Sequence, residues 1–199
     1  MDVTEHMRGV LLGWLVEVHQ KYRLTDETFF LMVDLLDSYL EREWVIRSRL
    51  QLVGITALWI AAKYVETYQV PKLDNLVYIC DNAYSCQDIL TMEGSILTVV
   101  GFEALVRPSP LTYLSLIQHH AQLAPKDYFL AKYLLEVATF DLSLRCFSPA
   151  LTAYSIVFFI KKLRGYMHWQ EEGLKGDCGL SDGEVRATTR EFCLLWQRA

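Results

Sequence analysis

The chain is poor in residues that interrupt helices. Five prolines and ten glycines are spread over 199 residues, and a proline inside a helix costs about 3 kcal/mol. Pro71, Pro108, Pro110, Pro125 and Pro149 each sit just before a stretch of helical periodicity, where the first turn tolerates them. Five of the glycines fall between Gly165 and Gly183 and mark one long late loop. Strict apolar/polar alternation, the mark of a half-buried strand, is nearly absent. Basic excess is absent too: 19 Lys+Arg face 24 Asp+Glu, for a net charge of −5 and a pI near 5.5, whereas a duplex-DNA binder carries a basic surplus. The longest apolar runs, around Leu52–Ala62 and Ala153–Ile160, fall short of the roughly 20 residues of a membrane span. No charged-then-apolar leader opens the chain. The five cysteines (Cys80, Cys86, Cys146, Cys178, Cys193) form no CxxC pair, which fits reduced cytosolic or nuclear thiols. At 52% hydrophobic and 22% charged, the composition excludes disorder. The expectation is a soluble, intracellular, all-helical protein with core enough for one large domain or two small ones.

Five helices are expected in the first half. The first spans about Val3 to Tyr22, with Leu11, Trp14, Leu15 and Val18 at i, i+3, i+4, i+7. The second spans about Asp26 to Glu41 behind Thr25, a good N-cap residue. The third, about Ile46 to Val65, is apolar nearly all round and therefore reads as a buried central helix. A fourth, about Lys72 to Asp81, follows Pro71; a fifth follows Ser85, whose Ser-x-x-Asp with Asp88 is a capping-box pattern, and ends near Val100–Gly101.

The second half repeats this plan. A shift of 99 residues lays Phe29-Phe30-Leu31 and Leu35-Leu36-Asp37 over Tyr128-Phe129-Leu130 and Leu134-Leu135-Glu136. The same shift lays Gly54-Ile55-Thr56 over Ala153-Tyr154-Ser155. One offset serving two helices indicates a tandem pair of similar bundles. The expected domains are residues 1–106 and 107–199, divided just before Pro108-Ser109-Pro110.

Catalytic constellations are scarce. His119 and His120 are adjacent, so on a helix they point about 100° apart and do not share a metal. Gly173-x-x-Gly176-x-x-Gly179 lacks the preceding strand and the Gly-Lys-Ser/Thr ending of a phosphate loop. Cys80 and Cys86 read as small buried residues, and Glu17, Glu41 and Glu66 as solvated helix faces. Lys63 stands apart. It ends the apolar run Leu58-Trp59-Ile60-Ala61-Ala62, where it either complements the helix dipole or presents a charge beside exposed apolar residues. Trp14 faces the same choice between core and surface.

Met7-Arg8-Gly9-Val10-Leu11 followed by Trp14-Leu15-Val16-Glu17-Val18-His19 resembles the opening of the cyclin box of A- and B-type mitotic cyclins. Leu50-Gln51-Leu52-Val53-Gly54 and Ala61-Ala62-Lys63-Tyr64 are similar to that box's third helix. Leu76 to Tyr84 and Met92-Glu93 complete it, and the likeness is dense from Met7 to about Pro110. The resemblance implies an all-α fold of two tandem cyclin-like five-helix bundles, the second truncated. It also implies a non-catalytic subunit that activates a cyclin-dependent Ser/Thr protein kinase in mitotic control, in nucleus and cytoplasm, with no cofactor, metal, nucleic acid or membrane partner. Arg8 and Asp37 match a structural ion pair between helices one and two. Lys63 and Glu93 match residues that hydrogen-bond the kinase backbone, with Ile60, Tyr64, Leu97 and Phe102 in the surrounding apolar contact. Met7, Val10, Leu11, Trp14 and Gln51 match an apolar groove that docks Arg-x-Leu-type motifs of substrates and inhibitors, and Glu17 the acidic residue that meets the basic side chain.

The chain departs from the family at several points. Gly13 and Gly9 stand where aspartate and alanine are usual, which should weaken the first helix by roughly 1–2 kcal/mol. Val65-Glu66-Thr67-Tyr68-Gln69-Val70-Pro71 replaces an acidic, double-proline loop. The chain begins almost on the first box helix and ends where a final helix is expected, as would a core excised from a longer protein. The competing assignment is a transcription-initiation factor of the IIB type, which also carries two cyclin-like folds but should be basic.

Overall fold

Local capping chemistry starts most of the helices. In the computed structural model, which describes residues 3–121, 123–166 and 178–198, nine α-helices are seen and no strand among the described residues. They are α1 (Glu5–Tyr22), α2 (Asp26–Arg42), α3 (Leu50–Val65), α4 (Leu73–Ile79), α5 (Cys86–Val100), α6 (Pro110–Ala121), α7 (Pro125–Ala138), α8 (Pro149–Leu163) and α9 (Asp182–Arg198). The hydroxyls of Thr4, Ser85, Ser109, Ser148 and Ser181 each accept a backbone N–H of the first turn of α1, α5, α6, α8 and α9. Ser85–Asp88 and Ser181–Glu184 close reciprocal capping boxes. Helices α2 and α7 begin 99 residues apart, at Asp26 and Pro125, and so do α3 and α8, at Leu50 and Pro149.

Three boundaries differ from the sequence expectation. A 3₁₀ turn over Arg47–Arg49 delays the third helix to Leu50. Helix α4 stops at Ile79 because Asp81 and Asn82 take left-handed φ of 55° and 56°, which no right-handed helix contains. Gly183 belongs to α9 rather than to the late loop, while Gly173 and Gly176 lie outside the described residues.

The chain divides into two compact units between Arg107 and Pro108. In the first, α3 is the hub. Leu50 and every residue from Leu52 to Ala62 are buried, with α1, α2 and α5 packed around them. Gly54 makes this possible, since a Cβ there would lie 3.0 Å from the Leu11 methyls and 3.1 Å from that of Leu15. Gly9 and Gly13, in contrast, have no atom within 4 Å of a would-be Cβ, so packing does not offset their helix penalty. In the second unit α8 takes the central role, with α6, α7 and α9 against it. Thr189 on α9 donates to the Ser155 carbonyl of α8, and Phe192 is fully buried.

Each unit contains an arginine–aspartate ion pair. Arg8 of α1 and Asp37 of α2 form two parallel bonds, Nε to Oδ1 at 2.6 Å and Nη2 to Oδ2 at 2.7 Å, both side chains 5% exposed. Two-fork geometry is the strongest form of this interaction. In the second unit Arg164, just past α8, donates twice to Asp127 Oδ1 at 2.9 and 2.7 Å, pinning the start of α7. Removing one partner of a buried pair strands the other charge. Asp37→Ala should therefore destabilise the chain by about 3–5 kcal/mol, read as a lowered midpoint in urea unfolding. A loss under about 1 kcal/mol would show that Arg8 finds water instead.

Candidate protein-interaction site

The C-terminal end of α3 surfaces at Lys63. The last helical turn favours a cation, and the ammonium lies 3.6 Å from the centroid of the Trp59 ring one turn below. It donates to Glu93 Oε1 on α5, which packs beside α3. Leu90, Glu93 and Leu97 share one face of α5 at i, i+3, i+7. Gly101, with φ +85°, ends that helix; a Cβ there would run into the Glu103 carboxylate. The turn leaves Phe102 68% exposed. Tyr64 is also exposed and Leu97 is half-buried. A charged pair thus sits on the same two helices as an apolar margin of Tyr64, Leu90, Leu97 and Phe102. Ile60 does not join it. At 3% exposure it belongs to the core, because α3 is surrounded up to Ala62.

Along α1, residues 7, 10, 14, 17 and 21 recur at heptad spacing and form one outer stripe, beside the buried stripe of Leu11, Leu15 and Val18. Met7 and Trp14 are half-buried, Val10 is 62% exposed and Glu17 is exposed. Leu11 is a correction to the groove expected from the sequence: it is buried against Gly54 and offers almost no surface. Trp14 and Glu17 line a hollow of about 380 Å³ with Val18, Lys21, Tyr78, Ile79 and Asp81. Gln51 lines a separate hollow, with Ile46, Arg47, Ser48 and Tyr84. Tyr78, Ile79 and Asp81 were not singled out from the sequence. The signal for them is the Asp81-Asn82 pair, two residues that tolerate left-handed φ and so turn the chain toward α1.

Glu66 is not a solvated face. It caps α3 and accepts the Thr25 N–H at 2.7 Å, the Thr25 hydroxyl at 3.0 Å and the Thr28 hydroxyl at 2.6 Å. Thr25 consequently makes no side-chain cap of its own on α2; its hydroxyl is spent on Glu66. Burial pushes the Glu66 carboxyl up. The Thr28 and Thr25 hydrogen bonds and the nearby His19 outweigh this and hold it below its ordinary value of 4.5. His19 itself bonds the Thr25 carbonyl at 2.8 Å.

The remaining chemistry-bearing residues stay apart. The rings of His119 and His120 meet edge to face with centroids 5.6 Å apart. No cluster of three metal-ligating side chains occurs among the described residues. Burial pushes the Cys80 thiol up to about 11, while Cys86 is half-buried and donates to Asp74 at 3.4 Å. Among the described residues no single helix is long and apolar enough to cross a membrane.

Two tandem helical bundles, each built around a buried hub helix, define the class of fold. The cyclin N-terminal domain family model matches residues 1–105, and the cyclin C-terminal domain model matches residues 108–198. The chain belongs to the cyclin family. It is 36% identical to Cyclin-B2-1 of Arabidopsis thaliana over 200 residues, covering 100% of this chain and 46% of that protein. It is 39% identical to G2/mitotic-specific cyclin-B2 of Homo sapiens over 168 residues, covering 84% and 42%. The chain therefore spans under half the length of these relatives. A solved viral cyclin from herpesvirus saimiri shares the fold, with a TM-score of 0.79 at 19% identity, over 98% of this chain and 86% of that one.

The lowered Glu66 pKa carries a stability prediction. A carboxyl held lower in the folded chain stabilises it above the unfolded value, and that contribution is lost as pH falls through the folded value. Glu66→Gln should lower the melting temperature at pH 7, with the gap from wild type closing below about pH 4.5. Parallel melting curves from pH 7 down to pH 3 would refute a stabilising role for the Glu66 hydrogen bonds.

Proposed function

We propose that this chain is the regulatory core of a B-type-like mitotic cyclin. It binds and activates a cyclin-dependent Ser/Thr protein kinase through the α3–α5 face and helps recruit substrates through the outer stripe of α1. The observation that carries this reading is the Lys63–Glu93 pair with its apolar margin of Tyr64, Leu97 and Phe102. A buried hub helix holds these groups on a rigid frame, so little ordering entropy is lost when a partner docks. Lys63 has two ammonium protons left for partner carbonyls, and Glu93 has unused lone pairs for partner N–H groups. The exposed aromatic rings supply apolar area around those polar contacts. A kinase helix held against this face keeps its glutamate paired with the catalytic lysine, and the activation segment opens. The chain contributes no reacting group; phosphoryl transfer belongs to the kinase. Nucleus and cytoplasm suit its five cysteines, which form no CxxC pair. No observation favours the IIB-type alternative, and the net charge of −5 argues against a DNA-binding role.

Lys63→Ala and Glu93→Ala should each weaken kinase binding by about 10- to 100-fold, the value of one charge-assisted hydrogen bond of about 1.5–3 kcal/mol. Their part-exposed pair contributes little to folding, so calorimetry should show near-native melting. A folded double variant that activates a co-purifying kinase normally would end this assignment. On the docking side, Trp14→Ala removes the largest anchor of the α1 stripe, a truncation that commonly costs 2 kcal/mol or more. KM should rise by about 30-fold for substrates carrying an Arg-x-Leu motif, selectively over motif-free peptides. Equal losses on both substrate types would argue against a separate docking face.

A further inference from the structure

The α1 stripe changes character along its length. Met7, Val10 and Trp14 are apolar, and the same line then ends in Glu17 and Lys21. Lys21 lines the hollow together with Glu17 and Asp81, and with Trp14, Ile79 and Tyr78, the last 73% exposed. Two carboxylates and one ammonium therefore border a single depression. Among the described residues none of these three charges has an opposite charge within 4.0 Å, and none has a side-chain hydrogen bond. Glu17 and Lys21 are four residues apart on one helix face, close enough to pair in an isolated helix, and yet they do not pair here. Each is available to a charge that a ligand brings. The Trp14 ring in the same hollow gives such a ligand an apolar contact.

We infer that Lys21 sets the charge preference of the docking hollow, selecting partner segments that carry an acidic residue beside the motif whose basic residue meets Glu17 and Asp81. The inference rests on the docking role proposed above for α1. The occupant is an extended segment of another protein with an apolar anchor, a basic residue and an acidic flank. A segment with a basic flank meets like charge at Lys21 and is disfavoured. Lys21 thereby adds selectivity among motif-bearing partners, which the apolar groove and its carboxylates do not supply.

The experiment uses the full chain and fluorescein-labelled peptides with one Arg-x-Leu core, differing only in Asp or Lys at a flanking position, tested on each side of the core. Fluorescence anisotropy at low ionic strength should show the Asp peptide binding about two- to five-fold tighter on one flank, the range of a part-exposed ion pair. Lys21→Glu should reverse the ratio and Lys21→Met should bring it to about one, while raising the salt shrinks the wild-type preference. Lys21 is exposed, so both variants should keep the wild-type melting curve. An unchanged ratio in Lys21→Glu, with both peptides lost in Trp14→Ala, would overturn the role of Lys21 and leave the docking reading standing. Binding of both peptides to wild type no tighter than to Trp14→Ala would overturn the docking reading and this inference together.

Discussion

A helix without a polar face has to be surrounded, and α3 is such a helix. From Leu52 to Ala62 every side chain is buried, so α1, α2 and α5 have to cover it from several directions. Burying a leucine- or isoleucine-sized side chain is worth about 1.5–3 kcal/mol, and Leu58, Ile55 and Leu52 are each almost wholly covered. Only the two ends of α3 reach the surface. One end carries Gln51 beside the Arg47–Arg49 turn; the other carries Lys63 and Tyr64. The positions at which this unit can meet a partner along α3 follow from the burial of everything between them.

Covering α3 brings polar groups into the interior, and the chain pairs them. Arg8 and Asp37 lie on two helices that both pack on α3, and their two-fork bond fixes how those helices sit against each other. Glu66 does the equivalent at the helix end. Its carboxylate closes the α3 terminus onto the start of α2 through three donors from Thr25 and Thr28. The same residue leads into Thr67–Pro71, the segment that departs from the family pattern. The departure therefore does not free the end of α3: a different contact holds it.

Helix starts were legible in the sequence because capping is local. Ser85-x-x-Asp88, Pro125 and Pro149 each act within one turn of themselves, and the 99-residue offset survives as a shared starting register for α2/α7 and α3/α8. Contacts between elements were less legible. Periodicity places Leu11 and Trp14 on adjacent lines of one helix, but only the approach of α3 at Gly54 decides that Leu11 is core while Trp14 stays half-open. Ile60 sits three residues from a surface lysine and is still buried, because the covering helices extend that far. Glu66 reaches residues 38 and 41 positions away, a separation that composition and spacing do not encode. The hollow beside Trp14 depends on the left-handed pair Asp81-Asn82, whose turn direction no helical pattern announces.

The length of α3 also bears on how the two proposed faces work together. Gln51 and Lys63 are 12 residues apart, about 18 Å at 1.5 Å per residue. The docking hollow is lined by residues of α1 and the end of α4 and by none of α3, so the two proposed faces draw on different side chains. On the proposed function, a substrate held at the α1 stripe while a kinase occupies the α3–α5 face would be tethered to the enzyme that modifies it. Tethering raises its effective concentration toward the millimolar range without any new contact at the reacting atoms. The gain depends on chain between docking motif and phosphorylation site being long enough to span the distance and not much longer, since effective concentration falls as about the −3/2 power of length. Burial of α3 supplies the fixed end of that ruler. A flexible helix there would vary the span and blur the length dependence, whereas a hub packed on all sides holds both faces on one rigid body.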